Sequence, residues 1–346
     1  MSEPASAIQS RYDRQVRVKE IGAAGQARLA GAVAVVAGLG ALGSTSAELL
    51  ARAGVGTLRL VDRDFVDWTN LQRQCLYDEQ DAAQSLPKAH AAAARLRRVN
   101  SQVRYEPIVD DINAGTVERM IAGATVLVDG LDGFHARALV NEACVKHGVP
   151  WVYGAALATY GSMATVVPGV GACLACVMPK AALETTMPLS CETVGVLGPV
   201  TSLIASWQAN EALKIMVGAT DRTSPDLVHV ELWSNEATRF PARRADQCEV
   251  CVQRRFPLLE RRERMMTTSL CGRAAVQVIP PPSSKLDVDL LRDTLRRTVA
   301  LEDNGHLLKF SADEHPMVVF PDGRAIVFGT ADAKQALRLY AKYVGA

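Results

Sequence analysis

The 346-residue sequence lacks an excess of either charge: 38 lysines and arginines stand against 37 aspartates and glutamates, a formal net charge of +1. That balance removes any general electrostatic argument for nucleic acid or a membrane surface as partner. Long apolar runs are missing too; a stretch such as Ala32 to Ala41 is too short to cross a bilayer. The first ten residues carry neither a basic segment nor an apolar core, so no signal peptide is expected and the chain is read as cytoplasmic. Histidine is scarce, and His90, His135, His147, His229, His306 and His315 form no triad or metal spacing. A histidine-centred mechanism therefore has no support.

What is present begins with two C-x-x-C pairs far apart in the chain, Cys173-Leu174-Ala175-Cys176 and Cys248-Glu249-Val250-Cys251. Four thiolates in two close pairs supply the sulfur set that a tetrahedral structural Zn²⁺ prefers. A zinc ion there would clip a loop near residue 175 to one near residue 250. The alternative, four unrelated core thiols, leaves the matched spacing unexplained. Cys75, Cys144, Cys191 and Cys271 are scattered, and free thiols beside a zinc site suit a reducing cytosol better than an oxidised framework. Cys75 and Cys144 are expected to be small core residues.

The apolar run Ala32–Ala37 reads as a buried parallel strand, followed by Gly38-Leu39-Gly40-Ala41-Leu42-Gly43 and a helical pattern through Ala53. A second strand, 57–61, ends at Asp62; helix 88–98, strand 103–109, helix 114–122 and strand 124–129 continue the alternation. This predicts a doubly wound, Rossmann-like α/β sheet, mainly parallel. Strands at 151–156 and 161–167 extend it, followed by a helix at about 199–217 and a strand at 226–234. Eight arginines between 239 and 264 surround the second cysteine pair, as a solvated surface or a docking patch for an acidic protein. Past the proline-rich stretch 279–284, helix 287–298, strands 306–311, 316–320 and 325–328 and helix 331–343 predict a separate small α/β domain. The expected organisation is a flexible N-terminus (1–10), a nucleotide-binding domain with the zinc site (11–255), a basic linker (256–267) and a C-terminal α/β domain (268–346).

A glycine turn after the first strand lets backbone approach phosphates at a helix N-terminus, and Asp62 ends the next strand where an acid can bond ribose hydroxyls. Taken alone, these features suit an NAD-dependent oxidoreductase equally well. Arg73, in Asn70-Leu71-Gln72-Arg73-Gln74, and Lys88, which opens the next helix, favour a triphosphate, because a leaving pyrophosphate needs charge neutralisation. No hydride-transfer constellation is visible. Asp129 and Asp132 follow the fourth strand, where a carboxylate could hold Mg²⁺; Asp132 is preferred, since Asp129 could be an ordinary polar strand end. Asp62 as a loop cap, and Arg73 or Lys88 as surface charges, stay open as alternatives.

Arg11-Tyr12-Asp13-Arg14-Gln15, the GLGALG turn, Asp62-Arg63-Asp64, NLQRQ, Pro87-Lys88, Asp132 and the two C-x-x-C elements, in this order, resemble the ThiF/MoeB/HesA family, prokaryotic relatives of ubiquitin-activating enzymes. The resemblance covers about residues 11 to 255. It implies adenylation, with ATP and Mg²⁺, of a small ubiquitin-like sulfur carrier of the ThiS or MoaD type at its C-terminal Gly-Gly. It further implies that Gly38, Gly40 and Gly43 form the phosphate turn and Asp62 the ribose acid. Asn70, Arg73 and Lys88 match the phosphate-handling set, Asp132 the acid associated with Mg²⁺, and Cys173, Cys176, Cys248 and Cys251 the Zn²⁺ ligands. Arg14 matches an arginine that reaches the neighbouring subunit's nucleotide, implying a homodimer. The family usually has Asn after the Mg²⁺-associated Asp; here Gly133 stands there, which removes any polar contact from that side chain.

The chemistry needs no general base, because a carboxylate is already ionised at neutral pH and attacks the α-phosphorus directly. Catalysis then rests on positioning and on charge from Arg14, Arg73, Lys88 and Mg²⁺. Cys191, in Leu189–Gly195, is either the candidate nucleophile for a later sulfur-transfer step, attacking the adenylate as thiolate or as persulfide charged by a cysteine desulfurase or another donor, or a retained but dispensable thiol. Other readings are adenylation of a peptide or RNA-linked carboxylate, and a non-catalytic binder of a ubiquitin-like protein. The retained charge set argues against the latter.

Overall fold

The computed structural model describes residues 11–178, 194–260, 266–270, 274–281 and 286–345. Residues 1–10, Cys191 and Cys271 lie outside them. The chain divides into two compact units, a larger one that ends at Glu260 and a smaller one formed by the C-terminal residues.

The larger unit is built on eight strands: β1 (Val33–Ala37), β2 (Thr57–Val61), β3 (Arg104–Ile108), β4 (Val126–Asp129), β5 (Trp151–Leu157), β6 (Tyr160–Val166), β7 (Leu227–Glu231) and β8 (Glu236–Phe240). Their order is β3-β2-β1-β4-β5-β6-β7-β8. The first five run parallel, and β6 to β8 are added antiparallel. β1 sits inside the sheet with both faces covered, which is why it reads as an uninterrupted apolar run. Alternate residues serve opposite faces: Ala34 and Val36 pack with one core, Val35 and Ala37 with another. The first core is closed by α1 (Gly22–Gly31), α2 (Ala41–Ala53), α3 (Lys88–Val99) and α6 (Gly198–Met216), the second by α4 (Val117–Ile121) and α5 (Phe134–His147). The strand order reverses between β1 and β4, which puts a ligand crevice beyond their carboxyl ends.

Three departures from the sequence reading have local causes. The helix expected over 114–122 forms only at Val117–Ile121. Before it, Asn113 Oδ1 accepts from Gly115 N (2.9 Å) and Thr116 Oγ1 donates to Asp111 O (2.5 Å), so side chains hold a turn where a helix would begin. The strand expected over 226–234 stops at Glu231, whose carboxylate accepts from Trp233 N and Ser234 N. Asn235 then adopts φ +61° and the chain returns as β8. Helix α5 was hidden because Arg137, Asn141 and Glu142 are buried on it, which erases the apolar stripe.

The smaller unit is a six-stranded antiparallel sheet of β9 (Met266–Leu270), β10 (Ala275–Ile279), β11 (Glu302–Asp303), β12 (Leu308–Ala312), β13 (His315–Val319) and β14 (Ala325–Phe328), in the order β11-β12-β13-β14-β10-β9. Helices α7 (Val288–Thr298) and α8 (Ala333–Tyr343) supply Leu291, Leu295, Leu339 and Tyr340 to its core, against Val276, Val278, Phe310, Met317 and Val327. The sequence reading started this sheet beyond the prolines, yet β10 precedes them and lies inside it, between β14 and β9. A hairpin turn at Pro321-Asp322-Gly323 joins β13 to β14, with Gly323 at φ +87°.

Candidate functional site: glycine turn and four-sulfur cluster

The turn after β1 is held by glycines for two different reasons. Gly38 has φ +86°, and a Cβ there would lie 2.6 Å from Gly130 O. A Cβ on Gly43 would meet Gly38 O at 1.8 Å. Both are demanded by the close approach of the chain to itself. Gly40 is not: it has an extended conformation, and nothing would come nearer to its Cβ than 3.9 Å. A Cβ there would make only ordinary contacts with Gly130 O and Gln74 Nε2, at the start of α2, where no side chain caps the helix. Free N–H groups at the positive end of a 13-residue helix form a site for an anion.

A pair of substitutions separates these roles. Gly43→Ala is expected to destabilise the larger unit by about 3 kcal/mol, an overpacking cost at a backbone contact. Gly40→Ala should keep its stability to about 1 kcal/mol, the cost of a poorer N-cap, while weakening nucleotide binding. Thermal melts with and without ATP check both; equal loss of stability in the two variants would refute the distinction.

The acid at the end of β2 braces the turn. Asp62 Oδ2 accepts from Leu39 N (2.6 Å) and Oδ1 from Asp64 N (2.7 Å). Burial pushes its carboxyl above the usual range, and the nearby Lys88 ammonium opposes that rise. Lys88 opens α3 and is only 7% exposed, with Nζ 3.5 Å from Asp64 Oδ2. Asp62, Asp64 and Lys88 are thus brought together beside the glycine turn.

The remaining predicted residues are placed differently. Asn70 is buried, and its Oδ1 accepts from Asp67 N (3.1 Å), capping the 3₁₀ turn Trp68–Asn70. Arg73 donates to Thr69 O (2.8 Å). Asp132 is exposed in the loop after β4, whereas Asp129 is fully buried and paired with Arg137 Nε at 3.1 Å. Arg137 also donates to Gly154 O (2.8 Å), so Asp129 belongs to the scaffold and the freer carboxylate is Asp132. Gly133 caps α5 with no atom within 4 Å of its Cβ position. Arg14 is not brought to the turn within one chain. Its neighbour Gln15 donates to Ala53 O (2.8 Å) at the far end of α2, about 20 Å along that helix, and the Arg14 side chain is 87% exposed.

The four paired cysteines do converge. Sulfur separations are 3.9 Å for Cys173–Cys176, 3.6 Å for Cys173–Cys248 and 3.4 Å for Cys176–Cys251, and all four lie within 4.8 Å of one another. A tetrahedron of sulfurs with Zn–S bonds of about 2.3 Å has edges of about 3.8 Å, so the donor set fits zinc. Helix α5 ties this cluster to the crevice. Asn141 Oδ1 accepts from Leu174 N (2.9 Å), and Glu142 Oε2 accepts from Leu258 N (2.9 Å) and Leu259 N (3.1 Å). Arg254 donates to Lys146 O (3.1 Å) near the helix end, and Arg244 to Cys251 O (2.7 Å). Two arginines of the basic stretch are therefore structural.

Cys144 is buried, as expected. Cys75 is exposed, contrary to the core position expected for it; its sulfur faces Thr45 Oγ1 (3.6 Å) and Glu48 Oε2 (3.5 Å) between the buried Gln74 and Leu76. Among the described residues, no helix is long and apolar enough to cross a membrane.

A doubly wound sheet with a phosphate-type glycine turn, a buried acid and lysine beside it and a four-sulfur cluster that could hold a metal ion place the chain in the class of Rossmann-like α/β proteins. The chain belongs to the ThiF family, whose sequence profile matches residues 12–250. It is 39% identical over 338 residues to a sulfur carrier protein ThiS adenylyltransferase of Bacillus subtilis, covering 97% of this chain and 99% of that one. A SAMP-activating enzyme E1 of Haloferax volcanii is 36% identical over 241 residues, covering 70% and 88% of the two chains. Among solved structures, MccB of E. coli with succinimide has the same fold, with TM-score 0.60 at 22% identity over 70% of this chain and 74% of that one.

Proposed function

We propose that this protein is an ATP-dependent adenylyltransferase that activates the C-terminal glycine carboxylate of a ubiquitin-like sulfur carrier of the ThiS type. The observation that carries the reading is the likeness to the ThiS adenylyltransferase, which runs through both units of the chain. The geometry supports it: an open anion site on the glycine turn lies beside a buried acid and lysine. The carrier carboxylate attacks the α-phosphorus of ATP, a mixed acyl-phosphate anhydride forms and pyrophosphate leaves. In this reading Asp62 holds the ribose, and the first-turn amides of α2 with Arg73 and Lys88 hold the phosphates. Asp132 would hold Mg²⁺, which supplies charge neutralisation for the departing pyrophosphate. Residues 11–255 form the adenylation domain, and Cys173, Cys176, Cys248 and Cys251 hold structural Zn²⁺ within it. Arg14, exposed beside Gln15 at the far end of α2, serves the nucleotide of a second subunit in a homodimer. The unit from 268 onward is an appended domain.

ATP–pyrophosphate exchange with a purified carrier ending in Gly-Gly tests the proposal, alongside the same carrier lacking its last glycine. Exchange only with the intact tail is the expected result; none with several folded carriers would overturn it. We also propose that Cys191 acts after adenylation: its thiolate, or its persulfide once a cysteine desulfurase or another donor has delivered sulfane sulfur to it, attacks the acyl carbon, the acyl–phosphate bond breaks and AMP leaves. Cys191→Ala is expected to retain exchange and to lose sulfur transfer to the carrier. A folded variant without exchange would refute that order of steps.

A further inference from the structure

We propose, on the adenylation reading, that Gln208 is a positioning residue: its buried amide fixes the end of β4 and so aims the loop that carries Asp132. The side chain comes from α6 and lies in none of the motifs read from the sequence. β4 and β5 pair only at Leu127–Trp151 and Val128–Val152, and β5 then runs on to Leu157 against β6. Where the two strands part, Gln208 Nε2 donates to Asp129 O (2.7 Å) and to Val152 O (3.1 Å). Gln208 is fully buried, and its Oε1 has no hydrogen-bond partner. An apolar side chain of that length would fill the space without leaving an acceptor unmet. What the amide adds is the two donated bonds. Gly154 of β5 makes room for them: a Cβ there would lie 2.3 Å from Nε2 and 2.6 Å from Oε1. Gly154 has no positive φ, so the approach of the amide is what a side chain would obstruct.

Asp129 begins a short series of restraints that ends at Asp132. Gly130 N donates to Ala37 O (2.7 Å), and a Cβ on Gly130 would lie 2.3 Å from Gly38 O, so the loop forms one wall of the glycine turn. Leu131 N donates to Asp129 Oδ1 (2.8 Å), and Leu131 O accepts from Arg137 Nη2 (2.5 Å). Asp132 follows, exposed. Arg137 reaches this strand end from α5 on one face of the sheet, and Gln208 from α6 on the other. Loss of the amide frees Asp129 O on one side only. The strand end then slackens, and the carboxylate assigned to Mg²⁺ loses its aim while the glycine turn keeps its own contacts. A misplacement of about 1 Å behind a reacting group costs about a hundredfold.

The test uses the full-length protein and an ATP analogue with a methylene bridge between the α- and β-phosphates. Its dissociation constant is measured by calorimetry with Mg²⁺ and again with EDTA. Metal-free binding reports the glycine turn and Lys88; the gain on adding Mg²⁺ reports Asp132. Gln208→Met keeps length and removes both donated bonds. It is expected to leave metal-free binding unchanged and to cut the Mg²⁺ gain about tenfold or more, the range for removing support behind a metal-binding group. Gln208→Asn withdraws the amide by one methylene, carries the same expectation and serves if the methionine variant does not fold. Met216→Ala, a buried truncation at the end of the same helix, supplies a matched fall in thermal midpoint and should keep the full Mg²⁺ gain. Gln208 variants with the wild-type gain, or a Met216→Ala protein that loses it equally, overturn the assignment. So does wild-type protein that binds the metal-free analogue and gains nothing from Mg²⁺. Wild-type protein that binds the analogue under neither condition overturns the adenylation reading itself, which separates the two failures.

Discussion

Replacing Cys248 by serine is expected to release the metal from the four-sulfur cluster and lower the thermal midpoint of the larger unit by about 10 °C. That figure takes about 4 kcal/mol of lost stability and about 2–4 °C per kcal/mol for a unit of this size. The loss follows from what the cluster holds together. Cys173 and Cys248 are buried, and their segments pack with Leu139, Val140, Ala143 and Trp151 in one apolar core. In the variant the three remaining thiols, Cys176 at 3.9 Å from Cys173 and 3.4 Å from Cys251, have no ion to justify their approach. Binding energy of a structural zinc is folding energy, because the unfolded chain has no such site. A second consequence reaches the crevice through α5, whose residues bond both cysteine segments at one end and Asp129 at the other. Nucleotide affinity should therefore fall along with stability. Metal analysis with scanning calorimetry, before and after a strong chelator, decides the matter. Wild-type protein that carries no zinc and melts unchanged after chelation would sink the assignment.

The parts of this structure that could be read from sequence are those where one physical rule acts alone. β1 is visible because both its faces are covered, and the glycine turn because its backbone touches itself at Gly38, Gly43 and Gly130. The cysteine pairs are visible because sulfur chemistry dictates their spacing. What stayed hidden depends on tertiary partners. Helix α5 buries Arg137 against Asp129, Asn141 against Leu174 N and Glu142 against Leu258 N, so polar residues sit where an apolar stripe would have announced it. β9 and β10 stand on the near side of the proline stretch, and only pairing of β10 with β14 assigns them to the second sheet. Asn70, expected among the phosphate-handling residues, also caps a turn through its amide oxygen, a role that position along the chain could not reveal.

Lys88→Met is expected to lower adenylation by about a thousandfold, the scale of removing one positioned donor from a developing negative charge. The lysine is 7% exposed, at the start of α3 and against Asp64, whose carboxylate is 41% exposed and can be hydrated once its partner is gone. Folding should therefore survive the change. The variant has a second signature, in pH. Burial raises the Asp62 carboxyl and Lys88 opposes that rise, so removing the ammonium drives Asp62 further up. An acid whose folded-state pKa exceeds its unfolded value binds its proton more tightly when folded. The stability this lends is present below the unfolded pKa and is lost as pH rises through the folded one. The methionine variant should thus lose more stability than the wild type between acid and neutral pH. In the proposed role of Asp62 as ribose acid the ionised carboxylate is the better acceptor, so the acid limb of ATP binding should also move to higher pH. Lys88→Arg keeps a positive charge near Asp62 and should return the limb towards its wild-type position, even where rate stays low, since the guanidinium presents its charge differently. Exchange kinetics and ATP titrations across pH provide both readouts. A methionine variant active within about threefold of wild type would mean that positive charge at this place does not stabilise the departing pyrophosphate. An unmoved acid limb would mean that the Asp62–Lys88 coupling does not govern nucleotide binding.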